Sequence, residues 1–203
     1  MKILTFPVGQ MQANCYFIVN DGDCLIFDAG DSAEFLLEEI LRLKLQPLAI
    51  FATHGHFDHI MAVGEIQLSY DVPFYIANDD HFLVHRLKET ADHFLQQKNP
   101  IIPPKHFHDL QNGELKGGSI SMRVMRTPGH TPCATCFYFK DGGWLLTGDT
   151  LFKDAIGRYD FSYSDKTLLK NSLNHLFKLP EETIVYPGHG QETTIGEEKN
   201  RPL

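Results

Sequence analysis

The chain has 203 residues, 42% of them hydrophobic and 22% charged, which is enough apolar material for a proper core that needs no disulfides. Eighteen Lys and Arg against 26 Asp and Glu give a formal charge of −8, which argues against a general phosphate-backbone binder, so no nucleic-acid partner is expected. The unusual number is 11 histidines, because histidine is the commonest protein metal ligand and a frequent acid–base residue.

In chain order, Lys2–Phe6, Cys15–Val19 and Cys24–Phe27 read as short strands, with Asn20-Asp21-Gly22-Asp23 as a hairpin turn. Ala33–Leu43 carries Phe35, Leu36, Ile40 and Leu43 at helical spacing behind an Asp31/Ser32 N-cap. Pro47–Ala52 is an apolar run suited to a buried strand, followed by a helix over Ile60–Leu68 and a strand over Pro73–Ala77. The spacing then predicts one helix over Asp80–Gln97 and an irregular loop over the proline-rich Asn99–His108. Strands follow at Ser121–Arg126, Ala134–Lys140 and Trp144–Leu146, then a helix at Asp165–Phe177 and a strand at Thr183–Tyr186. Strands clustered in each half, with helices interspersed, predict two sheets under outer helix layers rather than a Rossmann unit. No G-x-G-x-x-G or Walker motif is present.

The N-terminus is too short and too interrupted for a signal peptide, and no apolar run approaches the roughly 18 residues of a membrane span. No membrane association is expected. Without a secretion signal, Cys15, Cys24, Cys133 and Cys136 read as reduced thiols, and the cytoplasm is the expected compartment.

The histidines are unevenly placed. His54-x-His56-x-Asp58-His59 packs four potential ligands into six residues directly after an apolar strand. Three more turns repeat the setting: Thr127-Pro128-Gly129-His130-Thr131, Thr147-Gly148-Asp149-Thr150 and Tyr186-Pro187-Gly188-His189-Gly190. In each, a strand ends and a small-residue turn exposes one His or Asp. Five histidines and two aspartates exceed what one tetrahedral zinc needs; they suit two adjacent metals with open positions for water, a catalytic arrangement. The bland alternative, surface histidines in turns, suits a lone histidine better than this dense run with three matching turns.

T-H-x-H-x-D-H followed by P-G-H-T, G-D and G-H-G resembles the metal-binding signature of the metallo-β-lactamase fold superfamily, from Asp28 to His189. Within it the chain resembles the short glyoxalase II-like hydrolases. The resemblance implies an α+β fold, an αββα four-layer sandwich of two mixed β-sheets flanked by helices, as a single domain over residues 1–203 without the helical C-terminal domain that supplies much of the glutathione site in glyoxalase II. It implies that His54, His56 and His130 bind one metal, that Asp58, His59 and His189 bind a second, and that Asp149 bridges both. Asp28 would orient a ligand from behind. The cofactors implied are two divalent metal ions, zinc first, with iron or manganese as alternatives. The implied reaction is hydrolysis of a small-molecule thioester such as S-D-lactoylglutathione by a metal-bridging hydroxide, with Asp58 and Asp149 as catalytic carboxylates.

Gly157-Arg158-Tyr159-Asp160, just after Asp149, adds two candidates for substrate binding, Arg158 and Tyr159; a structural salt bridge is the competing reading of Arg158. Similar segments occur in persulfide dioxygenases, which use one iron on the positions of His54, His130 and Asp149; that is the alternative function. A metal-dependent ribonuclease is opposed by the acidic charge, and a vestigial binding protein by the complete ligand set. Cys133-x-x-Cys136 reads as packing, and His81, His85 and His93 as a solvated helix face.

Overall fold

The computed structural model describes residues 1–98 and 100–201. Its first half contains β1 (Lys2–Val8), β2 (Ala13–Asn20), β3 (Asp23–Phe27), α1 (Ala33–Arg42), β4 (Gln46–Phe51), α2 (Phe57–Ile60), α3 (Val63–Ser69), β5 (Phe74–Ile76), α4 (His81–His85), α5 (Leu87–Phe94) and β6 (Phe107–Asp109). The second half contains β7 (Gly113–Gly117), β8 (Ile120–Arg126), β9 (Thr135–Phe139), β10 (Trp144–Gly148), β11 (Leu151–Phe152), β12 (Ala155–Ile156), α6 (Lys166–Leu176), β13 (Ile184–Pro187), β14 (Thr193–Thr194) and α7 (Ile195–Lys199).

Two six-stranded mixed sheets form, in the orders β1-β2-β3-β4-β5-β6 and β14-β13-β10-β9-β8-β7. Side chains alternate across each strand, so a strand covered on both sides must be apolar on both. β2 shows this: Cys15, Phe17 and Val19 enter the core under the first helix layer, while Tyr16 and Ile18 enter the core between the sheets. In β9, Phe137 and Phe139 face the inter-sheet core and Cys136 faces a third core under α6. The three cores separate four layers, the αββα sandwich. Its centre is Phe27, stacked on Phe51 at 5.0 Å and met edge-on by Phe137 at 4.9 Å.

Local chemistry accounts for the boundaries. The β2–β3 hairpin closes through Asp21 and Gly22, both at positive φ, between the paired Asn20 and Asp23. Asp165 caps α6 by accepting hydrogen bonds from the Thr167 and Leu168 amides.

The structure departs from sequence expectation in three places. The helix expected over Asp80–Gln97 is broken at Arg86, whose amide donates to Leu83 O in a tight i→i−3 bond that redirects the axis. The helix expected over Ile60–Leu68 is two, and the first begins at Phe57, so Asp58 and His59 sit on a helical turn rather than a loop. The expected Asn99–His108 loop ends early: Asn99 lies outside the described residues, and Phe107–Asp109 pairs with β5 as an edge strand. The edge strand β7 is polar enough to read as a loop, its Glu114 and Lys116 facing solvent.

Candidate metal centre

The directions of five strands decide where the ligands meet. β3 and β4 run parallel, as do β10 and β13, and β8 shares the direction of β10 because both are antiparallel to β9. Asp28, His54, His130, Asp149 and His189 each follow the C-terminal end of one of these strands, so all emerge at one edge of the sandwich. The structure brings together all seven expected ligand residues. His54, His56, His130 and Asp149 form one group and Asp58, His59 and His189 another, with ligand atoms in each within 4.8 Å of one another.

Within the first group, His56 Nδ1 lies 3.0 Å from His54 Nε2 and 3.1 Å from His130 Nε2. In the second, Asp58 Oδ2 lies 3.3 Å from His189 Nε2 and 3.8 Å from His59 Nε2. Asp149 faces both groups: Oδ2 is 3.6 Å from His130 Nε2 and Oδ1 is 3.5 Å from His59 Nε2.

The outward nitrogens of four histidines have partners that orient the rings. His54 Nδ1–H donates to Thr53 Oγ1 at 3.0 Å, and Thr53 in turn donates from its hydroxyl and its amide to the two Asp28 oxygens. His59 Nδ1–H donates to Asp28 Oδ2 at 3.0 Å, so one buried carboxylate supports both groups from behind. His130 Nδ1–H donates to Arg158 O at 2.9 Å, and His56 Nε2 and the Tyr163 hydroxyl share a hydrogen bond of 2.9 Å. His54 and His130, both held neutral, therefore turn an unprotonated nitrogen inward, while His59 carries a proton that a metal would displace.

That arrangement fits divalent cations. His59 Nε2 and Asp149 Oδ1 are buried side by side with no hydrogen-bond partner, and three imidazole nitrogens of the first group crowd one point. Buried polar atoms without partners are costly, and a cation satisfies nitrogen and carboxylate lone pairs alike. The charges divide in the same way. Burial and mutual repulsion hold the first-group imidazoles neutral, with His56 lowered to about 3 and His54 and His130 also lowered. Burial opposes a charge on His59 too, but Asp58, Asp28 and Asp149 raise it to about 10. Burial would raise Asp58, yet His59 and His189 keep its carboxyl well below the usual range.

Gly188 shows why a glycine adjoins a ligand here. A Cβ at this position would lie 2.2 Å from Asp149 Oδ1 and 2.8 Å from His59 Cε1.

Three further residues support the ligands, of which Asn14 and Asp80 escaped the sequence reading. Asn14 holds the His189 turn, its amide donating to Gly188 O and its side chain to Pro187 O and Gly190 O. Tyr163 is the partner of His56. Asp80, fully buried, accepts from the Gly55 amide, the Thr131 hydroxyl and the Cys133 amide, and so ties the His54–His56 loop to the His130 loop. Its only sequence signal is an acid soon after a short strand. Asp80→Ala strands three donors, and metal affinity measured against a chromophoric chelator is expected to fall roughly 10- to 100-fold. An unchanged affinity would show that the two loops hold their positions without it.

Over the ligands lies a cleft that Arg158, Phe161 and Tyr163 help to line. Arg158 makes a two-pronged pair with Asp160, both contacts at 2.9 Å. Tyr159 does not line the cleft; its ring is exposed beneath the Lys166 ammonium, because the strandless segment turns it outward. Cys136 is packed in the core under α6, and His81, His85 and His93 all lie outside the cleft lining. None of the helices among the described residues is long and apolar enough to cross a membrane.

Residues 8–189 match the Metallo-beta-lactamase superfamily. The chain is 36% identical to the probable metallo-hydrolase YqgX of Bacillus subtilis over 99% of its own length and 96% of that protein's. It is 36% identical to the hydroxyacylglutathione hydrolase GloC of Haemophilus influenzae, covering 98% and 95% of the two chains. Its fold superposes with a TM-score of 0.90 on the crystal structure of TTHA1623 in a di-iron-bound form, at 35% identity over 97% of both chains. A strand-edge cluster of five histidines and two aspartates, in the sandwich and with the match described, leads to one conclusion: the chain belongs to the metallo-β-lactamase superfamily and is a metal-dependent hydrolase.

Proposed function

We propose that the chain hydrolyses thioesters at a centre of two divalent metals, of which S-D-lactoylglutathione is the reference substrate. The observation that carries this reading is Asp149, whose two oxygens face two separate ligand groups. His54, His56 and His130 would hold one metal and Asp58, His59 and His189 the other, with Asp149 facing both groups. Divalent metals bound there supply Lewis acidity toward a carbonyl and an acidified water at neutral pH. Asp58 stays ionised and turns Oδ2 to His189, leaving Oδ1 to accept the hydrogen bond that orients the attacking water. Asp28 keeps the His54 and His59 rings from rotating as charge develops. A thioester suits this set because a thiolate leaves without a strong general acid. The likeness to GloC supports the same class. Zinc is the proposed metal, with iron and manganese also served by nitrogen and carboxylate ligands, and the di-iron form of TTHA1623 keeps iron in view.

The test is a substrate panel on metal-loaded protein: S-D-lactoylglutathione, a β-lactam, a phosphodiester, and oxygen uptake with glutathione persulfide. Thioester turnover well above the others is expected. Oxygen uptake at a single iron without thioester hydrolysis would replace this reading with the dioxygenase one.

The two groups should also differ in pH response. His59 is protonated up to about pH 10, so a metal at its group must displace that proton, and affinity there should fall roughly tenfold per pH unit on acidification. The first group, neutral to about pH 3 at His56, carries no such penalty between pH 8 and 6. Chelator competition at pH 8, 7 and 6 should show one of two metals lost first; equal slopes for both would contradict the assignment.

A further inference from the structure

The cleft's walls hold more information than its floor. On one side Phe57 and Phe94 stack nearly parallel, 5.7 Å apart and 9° from coplanar. Phe94 is 50% exposed and Met11 43% exposed, large apolar side chains at the mouth of a cleft, with Leu83 buried behind them. On the other side Phe161 and Tyr163 stack 5.3 Å apart, 13° from coplanar. Both aromatic pairs line the same cleft over the metal ligands.

The cationic groups of the cleft are already engaged. Arg158 gives its fork to Asp160 and lies 4.4 Å over the Phe161 ring. Arg86 is paired with Glu89 through two contacts of 3.3 Å. No lysine lines the cleft among the described residues. Glutathione brings two carboxylates and a net negative charge, and here each guanidinium it meets is balanced by a neighbouring acid. An uncharged arm meets the half-exposed Phe94 and Met11, apolar surface that gains by being covered.

We infer that the cleft selects a thioester with an uncharged apolar arm, aliphatic or aromatic, held against Phe94 and Met11 at the cleft mouth, in preference to an anionic thiol carrier such as glutathione. The inference rests on the thioester reading for its chemistry but on the cleft walls for its selectivity. The arm enters from either the acyl or the thiol side of the ester.

The experiment separates these sources and does not depend on turnover alone. Dissociation constants are measured by calorimetry for two inert thioethers, S-hexyl-N-acetylcysteamine and S-methylglutathione, on the metal-loaded protein. The first is expected to bind at least about tenfold more tightly. Phe94→Ala, a half-exposed position, should weaken it about five- to tenfold, Phe94→Leu should restore most of the loss, and neither should weaken the glutathione thioether. In turnover, KM for S-hexanoyl-N-acetylcysteamine and for S-acetylhexanethiol shows whether the arm sits on the acyl or the thiol side, and the one rising more in Phe94→Ala identifies it. Tighter binding of the glutathione thioether, or an equal effect of Phe94→Ala on both thioethers, overturns the inference. Apolar preference in binding with no thioester hydrolysed sinks the thioester reading and leaves the cleft's selectivity standing.

Discussion

Replacing Asp149 with alanine is expected to lower kcat/KM for thioester hydrolysis at least about a thousandfold while the protein stays folded. The side chain makes two contributions at once, because Oδ2 lies 3.6 Å from His130 Nε2 and Oδ1 lies 3.5 Å from His59 Nε2. Its removal takes away the carboxylate whose two oxygens face the two groups. The fold should tolerate the loss, since Oδ1 has no hydrogen-bond partner and Asp28 and Asp58 remain beside the protonated His59. Thermal melts in chelator should therefore place variant and parent within a few degrees of each other. Asp149→Asn keeps the shape and one carbonyl oxygen but not the charge, so it should retain weak binding at the first group and lose the second metal. Activity within tenfold of the parent in Asp149→Ala would mean that the two groups act separately.

Gly30→Ala should fail in a different way, through the backbone. A Cβ at Gly30 would lie 1.7 Å from the Asp58 carbonyl oxygen, an atom that cannot swing aside as a side chain can. The contact is part of a seam: Met61 donates to Gly30 O and Ala62 to Ala29 O, which fastens α2 against the turn after β3. α2 carries Asp58 and His59, and the same turn carries Asp28, the partner of His59. Separating them costs stability and spoils the second group together. A loss of about 3 kcal/mol is expected, which for a chain of this size is a drop in Tm of roughly 10 °C. Metal affinity at the Asp58–His59–His189 group should fall further than at the first group. Calorimetric melts and metal counting check both; an unchanged Tm would mean that α2 slides on the turn without cost.

The ligands were legible in the sequence because they are local. Four of them share six residues, and the others sit in turns that each pair a small residue with one His or Asp directly after an apolar strand. What holds the ligands is not local. Tyr163 reaches His56 across 107 positions, Asp80 reaches Thr131 across 51, and Asn14 reaches Pro187 across 173. Such pairings depend on how the two sheets stack, which periodicity does not encode. Tyr159 and Tyr163 look equivalent in sequence, yet one ring is turned to solvent and the other into the cleft.

The fold shows the same division. Strands buried on both faces, such as β2 and β3, announce themselves as continuous apolar runs. The edge strands β6 and β7 bury one side or less, and their Glu, Lys, His and Gly content reads as loop. The break at Arg86 carries neither Gly nor Pro; Val84 before it and Leu87 and Ala91 after it all pack into the core under the first sheet. That break also sets Leu83 and Phe94 around the cleft.

Titrating the metal-free protein with zinc while following thioester hydrolysis tests the central claim most directly. Activity should rise until two equivalents are bound per chain and then level, with Asp149→Ala showing no rise. A plateau at one equivalent with full activity, or two equivalents bound with no thioester turnover, would contradict it.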